Sequence, residues 1–183
     1  MVMDITSHTH HISQQYNLEL ETIRTHLSEM GGMAQRQVND AIQALIDADI
    51  ERAEQVVRGD TKVNSMEVTI DEECVRILAR RQPAASDLRL VIAVTKAITD
   101  LERVGDEATK IARQAIAMNK DGHAPRGYIE VRHIGGHVSR MLQDALDAFA
   151  RLDMDLALTV VQTDKQVDME YSTAMRELVT FMI

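Results

Sequence analysis

The sequence predicts an all-α protein made of long antiparallel helices, packed up and down as in a coiled coil. Over most of the chain, apolar residues recur at alternating spacings of four and three, which is the pattern of one face of a packed helix. Only two prolines occur in 183 residues, so very long helices meet few breaks. Aromatic residues make up 3% of the chain and methionines number 11, so we expect an aliphatic core.

The first helix is predicted over residues 13–47. Its apolar stripe consists of Tyr16, Leu20, Ile23, Leu27, Met30, Ala34, Val38, Ala41 and Leu45. Gly31 and Gly32 interrupt this stripe and indicate either a bend or the close packing of another helix. The preceding residues, 1–12, contain three histidines, namely His8, His10 and His11. We interpret this segment as a frayed polar start in preference to a metal-binding one.

A second helix is predicted over residues 49–80, where four apolar residues recur every seven positions: Val56, Val63, Ile70 and Ile77. The companion positions of the same heptads hold Asp60, Glu67 and Cys74. Two carboxylates in a helical seam break the apolar pattern, which is more typical of a functional site than of a core. Asn64 follows Asp60 by one turn and is a further candidate ligand. The alternative is that both acids lie at the edge of the seam and pair with Arg or Lys.

The third helix is predicted over Gln82–Arg113, with Pro83 at the first helical position, where a missing N–H costs nothing. Its stripe consists of Leu90, Val94, Ala97, Leu101, Val104, Ala108, Ile111, Ala115 and Met118. The stripe runs past residue 113, and the chain is next interrupted by a segment rich in turn-forming residues, 119–128, which we interpret as a linker.

Glu102 and Asp106 are separated by one turn of this third helix and share a flank beside the apolar stripe. Carboxylate oxygens suit hard cations, so two of them one turn apart can bind a single ion. Gly105 leaves room for a close approach beside them, at a cost of about 1 kcal/mol in helix propensity. The alternative is a solvated acidic flank on which Arg103 and Lys110 are the ion-pair partners.

The chain contains an internal repeat with an offset of 104 residues. Residues 30–78 align without a gap on residues 134–182, with 15 identities in 49 positions, where about three or four would arise by chance. We therefore expect a first three-helix bundle over 13–118 and a second, similar unit over 129–183. The second unit holds two helices, 129–152 and 154–183. We expect it to lack its third helix, through truncation or because an oligomer supplies the missing surface.

Composition excludes several classes of protein. The formal net charge of −9 argues against a nucleic-acid backbone as partner. No stretch of about 20 apolar residues could span a membrane, and no apolar signal-peptide core follows the start. A single cysteine, Cys74, rules out an internal disulfide and is consistent with the cytoplasm.

Two segments of the third helix are distinctive: Gln82–Arg89, which reads QPAASDLR, and Asp100–Asp106, which reads DLERVGD. They resemble the PhoU family of bacterial phosphate-signalling proteins. The resemblance implies tandem three-helix bundles and places the family's metal-binding E/DxxxD motif on Glu102 and Asp106. The metal it implies is iron, Mn, Mg or Zn. On the neighbouring helix we add Asp60 and Asn64 as candidate ligands.

The same resemblance implies a function without catalysis. Proteins of this family are cytoplasmic negative regulators of phosphate uptake and of the phosphate-starvation response. They couple the ATPase of a phosphate ABC transporter to a membrane sensor histidine kinase, and they commonly form homodimers. The chain would then be peripheral to the membrane through its partners, with no catalytic residue and no nucleic-acid partner.

Two alternatives stay open. A carboxylate-bridged metal enzyme or storage protein can be built in a helical bundle, but that class uses a Glu-x-x-His pair from each of two helices, and the sequence holds one such pair, Glu130 and His133. His26, His133 and His137 are interpreted as surface or packing residues. The last two form an i, i+4 pair that could bind Zn, although no HExxH pattern contains them. The second alternative is a purely structural helical module with no metal dependence.

Overall fold

The structure, a computed structural model, describes the backbone of residues 5–120 and 128–182; the side chains described are those of 14–120 and 129–180, except that of Leu178. Five helices account for these residues: α1 (Ile5–Asp47), α2 (Ile50–Arg81), α3 (Ala85–Lys120), α4 (Tyr128–Arg151) and α5 (Met154–Met182). The all-α prediction is confirmed, and the described ranges contain no strand. None of these helices is both long and apolar enough to cross a membrane.

The helix boundaries differ clearly from the predicted ones at three places, and one of these is the end of α3, which lies at Lys120 instead of Arg113. α1 begins at Ile5 instead of residue 13, so the backbone of all three leading histidines is helical. Their side chains lie outside the described residues. α3 begins at Ala85, and the prediction that Pro83 opens the helix is wrong. A residue before proline is driven away from helical geometry, and Gln82 instead caps α2 in a left-handed conformation with φ 48°.

Helices α1, α2 and α3 form a three-helix bundle around an aliphatic core made of two clusters of buried residues. Its largest fully buried side chains include Ile23, Met30, Ile70, Ile98 and Val63. The heptad of α2 is buried as predicted, because Val56, Val63, Ile70 and Ile77 all belong to the core. The stripe of α3 is turned slightly from the predicted one. Ile98, Gly105 and Ala112 are buried, whereas Ala97, Val104 and Ile111 are half-buried.

The repeat is visible in the turns that join the helices. Asp49 caps α2 by accepting the backbone N–H of Arg52 at 3.0 Å, and Asp153 accepts the backbone N–H of Leu156 at the same distance. The residue before each cap is left-handed, with φ 53° at Ala48 and 54° at Leu152. Such caps satisfy N–H groups that the helix itself cannot. The offset of 104 residues therefore holds at the level of single hydrogen bonds.

Helix α4 packs against α1 and α5, and it brings the two units together. Gly31 and Gly135 serve close packing here, since a Cβ at Gly31 would lie 2.4 Å from Leu146 and one at Gly135 would lie 2.6 Å from Ile42. The second unit is much less buried than the first. Ala148 is its one buried residue among the described side chains of α4 and α5, apart from Gly135.

Candidate metal centre

Three of the predicted ligands, Asp60, Glu102 and Asp106, are close enough for their charges to interact where α2 packs against α3, a place called the groove below. Glu102 and Asp106 lie on α3, Asp60 and Asn64 lie on α2, and all four are half-buried. Burial raises the pKa of the Glu102 carboxyl, and the negative charges of Asp106, Glu67 and Asp60 raise it further. Arg103 opposes this shift weakly. A carboxyl in this environment resists ionisation, because burial and repulsion by the neighbouring carboxylates both disfavour its charged form.

The alternative that basic residues neutralise the acidic flank is not what the structure shows. Arg103 lies 3.9 Å from Asp100, and Lys110 lies 2.7 Å from Glu107. Within residues 14–120 and 129–177, no Lys or Arg forms an ion pair with Glu102, Asp106, Asp60 or Glu67. The other ion pairs of arginine in these ranges involve different acids: Arg52–Asp47, Arg52–Asp49, Arg58–Glu54 and Arg81–Glu19. Asp60 and Glu67 are half-buried beside fully buried neighbours, so they lie at the edge of the α2 seam, as the alternative has it, but without its pairing to Arg or Lys.

Two amide side chains near this groove have buried polar atoms without a hydrogen-bond partner. The Oδ1 of Asn64 and both side-chain polar atoms of Gln37 are unpaired among the described residues. Asp60 is better satisfied, because its Oδ1 accepts the hydroxyl of Thr109 at 3.2 Å. A buried amide oxygen without a partner costs about 1–3 kcal/mol, and it is also a ligand that a hard cation accepts.

Gln37 was not among the predicted site residues, and its position explains why residue 105 is a glycine. A Cβ at Gly105 would lie 2.9 Å from the Oε1 of Gln37, and one at Gly59 would lie 3.6 Å from its Nε2. The amide of Gln37, which is 8% exposed, therefore reaches from α1 to glycines that adjoin two of the site's acids, Asp60 and Asp106. The space that the sequence assigned to an approaching ion is used at least in part by this side chain.

The acids of the groove do not form a closed ligand cage. Among the described residues, one set of three has metal-ligating atoms all within 4.8 Å of one another, and it consists of His133, His137 and Glu170. Glu102 and Asp106 are not part of it. An ion between α2 and α3 would therefore keep water in several positions, which is usual for hard cations.

The histidines among the described side chains contact other acids. His26 contacts Glu73 on α2, with 2.9 Å between Nδ1 and Oε2, and His137 contacts Glu170 on α5. His133 and His137 lie at the surface, as the interpretation of them as surface or packing residues expects, and α5 brings Glu170 to both. No local spacing in the sequence could have shown this, because Glu170 lies 33 residues after His137, on the next helix.

Comparison with known proteins assigns the family. The PhoU domain model matches residues 27–115 and 131–183. The chain belongs to the PhoU family. A PhoU homologue from Pseudomonas aeruginosa, named a phosphate-specific transport system accessory protein, is 65% identical over 175 residues, which cover 96% of this chain and 72% of that protein. PhoU from Escherichia coli, with the same name, is 49% identical over 181 residues, covering 99% and 75%.

Solved PhoU structures have the same fold. The crystal structure of PhoU from Pseudomonas aeruginosa matches with a TM-score of 0.89 at 63% identity, covering 91% of this chain and 80% of that one. The phosphate transport system regulatory protein PhoU from Streptococcus pneumoniae matches with a TM-score of 0.84 at 29% identity, covering 91% and 78%. The resemblance seen in Gln82–Arg89 and Asp100–Asp106 thus extends over both units of the chain.

Proposed function

We propose that this chain is a cytoplasmic negative regulator of phosphate uptake and of the phosphate-starvation response. The observation that supports this proposal is the 65% identity to the Pseudomonas aeruginosa accessory protein across 96% of the chain. The names of its relatives describe accessory and regulatory proteins of phosphate transport rather than enzymes. A protein of this kind acts by binding partners, and long exposed helices supply the surface for it.

The partners we propose are the ATPase of a phosphate ABC transporter and a membrane sensor histidine kinase. The regulator would hold the two in contact when phosphate is plentiful and suppress both uptake and the starvation signal. The net charge of −9 favours basic protein surfaces as partners over nucleic acid. A homodimer would double the contacts available to each partner and bury part of the apolar surface on α5.

We further propose that Glu102 and Asp106 hold a hard cation, with Asp60 and Asn64 beside them. Such an ion would neutralise the repulsion that helps to raise the pKa of Glu102. It would also provide a partner for the buried Oδ1 of Asn64. All-oxygen ligands favour Mg, Mn or iron over Zn at this place. Because the groove is half-open, a carboxylate of a partner protein could complete the coordination.

The regulatory role is tested in a bacterium whose own PhoU gene is deleted. We expect the chain to lower expression of a phosphate-starvation reporter in phosphate-rich medium and to co-purify with the transporter ATPase. The double variant E102Q/D106N should lose this repression. The matched control is D100N/E107Q, which changes two exposed acids of the same helix that pair with Arg103 and Lys110.

Two outcomes decide separate parts of the proposal. If the chain is present at normal levels and the reporter is unchanged, the regulatory role is wrong. If the chain represses but E102Q/D106N represses equally well, regulation stands and the role of the metal falls. Calorimetric titration with Mn, Mg and iron gives the direct measurement of binding, and E102Q/D106N should abolish it without loss of helicity.

A further inference from the structure

A second cluster of ligating side chains lies between α4 and α5, away from the acidic groove. His133 and His137 are one turn apart on α4, and Glu170 faces them from α5. The Nδ1 of His137 lies 3.0 Å from Oε2 of Glu170, and the Nε2 of His133 lies 3.9 Å from the same oxygen. The two imidazole rings are tilted by 54° with centroids 4.4 Å apart. All three ligating atoms lie within 4.8 Å of one another.

These distances suit a tetrahedral ion with little rearrangement. Zn²⁺ binds His nitrogen and carboxylate oxygen at 2.0–2.2 Å, so two ligands at a tetrahedral angle are about 3.3 Å apart. The contacts of 3.0 and 3.9 Å to Oε2 of Glu170 fall on either side of that value. Two imidazoles and one carboxylate are also a common zinc ligand set that leaves one position open.

The cluster can be reached from solvent. The side chains of His137 and Glu170 are 30% and 34% exposed, and that of His133 is 64% exposed. A cavity of about 490 Å³ adjoins the cluster and is lined by His133 and Glu170 together with Glu130, Gln166 and Glu177. An ion could enter without unfolding, and water or a neighbouring carboxylate could occupy the open position.

The cluster is not a copy of anything in the first unit. The offset of 104 places Glu29, Met33 and Met66 at the equivalent positions. Those residues include no imidazole, and in the first unit the two methionines pack against the core. The ligand set has therefore arisen in the second unit alone, and its chemistry differs from that of the all-oxygen groove on α2 and α3.

We propose that His133, His137 and Glu170 form a binding site for Zn²⁺ or a similar borderline transition-metal ion, which links α4 to α5. Imidazole ligands favour Zn, Ni and Cu, whereas Mg and Ca favour oxygen alone. The link joins two helices with few buried residues between them, so an ion that binds only the folded state stabilises this unit by mass action. The site is independent of the regulatory role and of the Glu102–Asp106 groove.

The test is calorimetric titration of the metal-free full chain with ZnCl₂, in a background where His8, His10 and His11 are replaced by Asn. This background removes histidines that could bind zinc by themselves. We expect one Zn²⁺ per chain from this site, unaffected by E102Q/D106N. H137N and E170Q should weaken binding at least about tenfold, since even partners behind the ligands contribute that much. The matched controls are H26N, which removes another histidine paired with a glutamate, and E177Q, which lines the same cavity.

The visible absorption of bound Co²⁺ provides a second measurement, which does not depend on the stability of the fold. Co²⁺ bound in a tetrahedral site should give visible absorption that H133N, H137N and E170Q each abolish, with the far-ultraviolet spectrum unchanged. Zinc binding of equal affinity and stoichiometry in the double variant H133N/H137N would overturn the proposal. So would the complete loss of zinc binding on replacing His8, His10 and His11 alone.

Discussion

Gly31 on α1 packs directly against Leu146 on α4, and the repeat makes this contact occur twice. A Cβ at Gly31 would lie 2.4 Å from Cδ2 of Leu146. The equivalent residues, Gly135 and Ile42, show the same relationship at 2.6 Å. The amide of Gln35 lies 3.5 Å from the backbone oxygen of Ser139, its own equivalent in the second unit. The two units therefore meet about a local two-fold axis that passes between α1 and α4.

The different surroundings of Gly31 and Gly136 predict opposite effects of substitution at these two glycines. Gly31→Ala should lower the free energy of unfolding by about 1–2 kcal/mol, because overpacking against Leu146 outweighs the gain in helix propensity. Gly136→Ala should raise it by about 0.5–1 kcal/mol, because nothing lies within 4 Å of a Cβ there. Chemical denaturation of both variants measures the difference.

Shortening the opposing side chain is the control for this prediction. In a Leu146→Ala background, Gly31→Ala should be neutral or stabilising. If Gly31→Ala is as harmful in that background as it is with Leu146 in place, the close contact does not explain the need for glycine.

The raised pKa of Glu102 predicts how stability depends on pH. Burial is the main cause of the shift, followed by the charge of Asp106. A carboxyl whose pKa is raised in the folded state destabilises the fold above that folded pKa, and the penalty disappears as the pH falls through it towards the unfolded value. In metal-free protein, Glu102→Gln should therefore raise the free energy of unfolding at pH 7, and the advantage over the unmodified chain should shrink in acid.

We expect added metal to reverse the order of stability between Glu102→Gln and the unmodified chain. With Mn or Mg present, the unmodified chain should gain stability that Glu102→Gln cannot gain. Urea denaturation at pH 7 and at lower pH, with chelator and with added ion, gives the four measurements. A variant less stable than the unmodified chain in chelator would contradict the electrostatic account.

Gln37 gives a third prediction, which concerns the core of the first unit. Its amide is buried and unpaired among the described residues, so Gln37→Met should raise the free energy of unfolding of metal-free protein by about 1 kcal/mol, within the range for removing a buried unsatisfied group. Thermal and urea denaturation measure this. Gly105→Ala should be destabilising with Gln37 present and less so in Gln37→Met, because the flexible methionine can move away from the added Cβ.

The helices and the core of the first unit could be predicted because they follow from local periodicity. Val56, Val63, Ile70 and Ile77 lie in the core where the heptad placed them. The start of α3 could not be predicted in this way, because the start of the helix after Pro83 depends on the conformation that Gln82 takes to end α2. Propensity at one position does not settle how two helices are joined.

The residues of the candidate site divide in the same way, into those that local sequence patterns predict and those that only packing reveals. Glu102 and Asp106 are candidates from their spacing together with the family motif, and Asp60 and Asn64 are candidates from the interrupted heptad of α2. Gln37 lies on a third helix and reaches the glycines of the other two, so only packing reveals it. Glu170 meets His137 in the same way, through the antiparallel pairing of α4 and α5. Contacts between distant segments leave no period in the sequence.

The last prediction concerns the second unit, where apolar side chains remain on the surface. Leu158, Val161 and Tyr171 are each more than half exposed, and Val160 and Val167 of the predicted inner stripe are half-buried. The third residue of that stripe, Leu178, lies outside the described side chains. By contrast, nine residues of α3 are buried. Helices that bury so little are held weakly.

We therefore expect that the chain self-associates, or that α4 and α5 exchange their amide hydrogens faster than α1, α2 and α3. Light scattering gives the mass in solution, and hydrogen exchange followed by mass spectrometry at two protein concentrations gives the protection of each helix. If self-association covers the apolar face, protection of α5 should rise with concentration. If the chain is a strict monomer and α5 is protected as well as α3, the exposed face does not weaken this unit and the prediction is wrong.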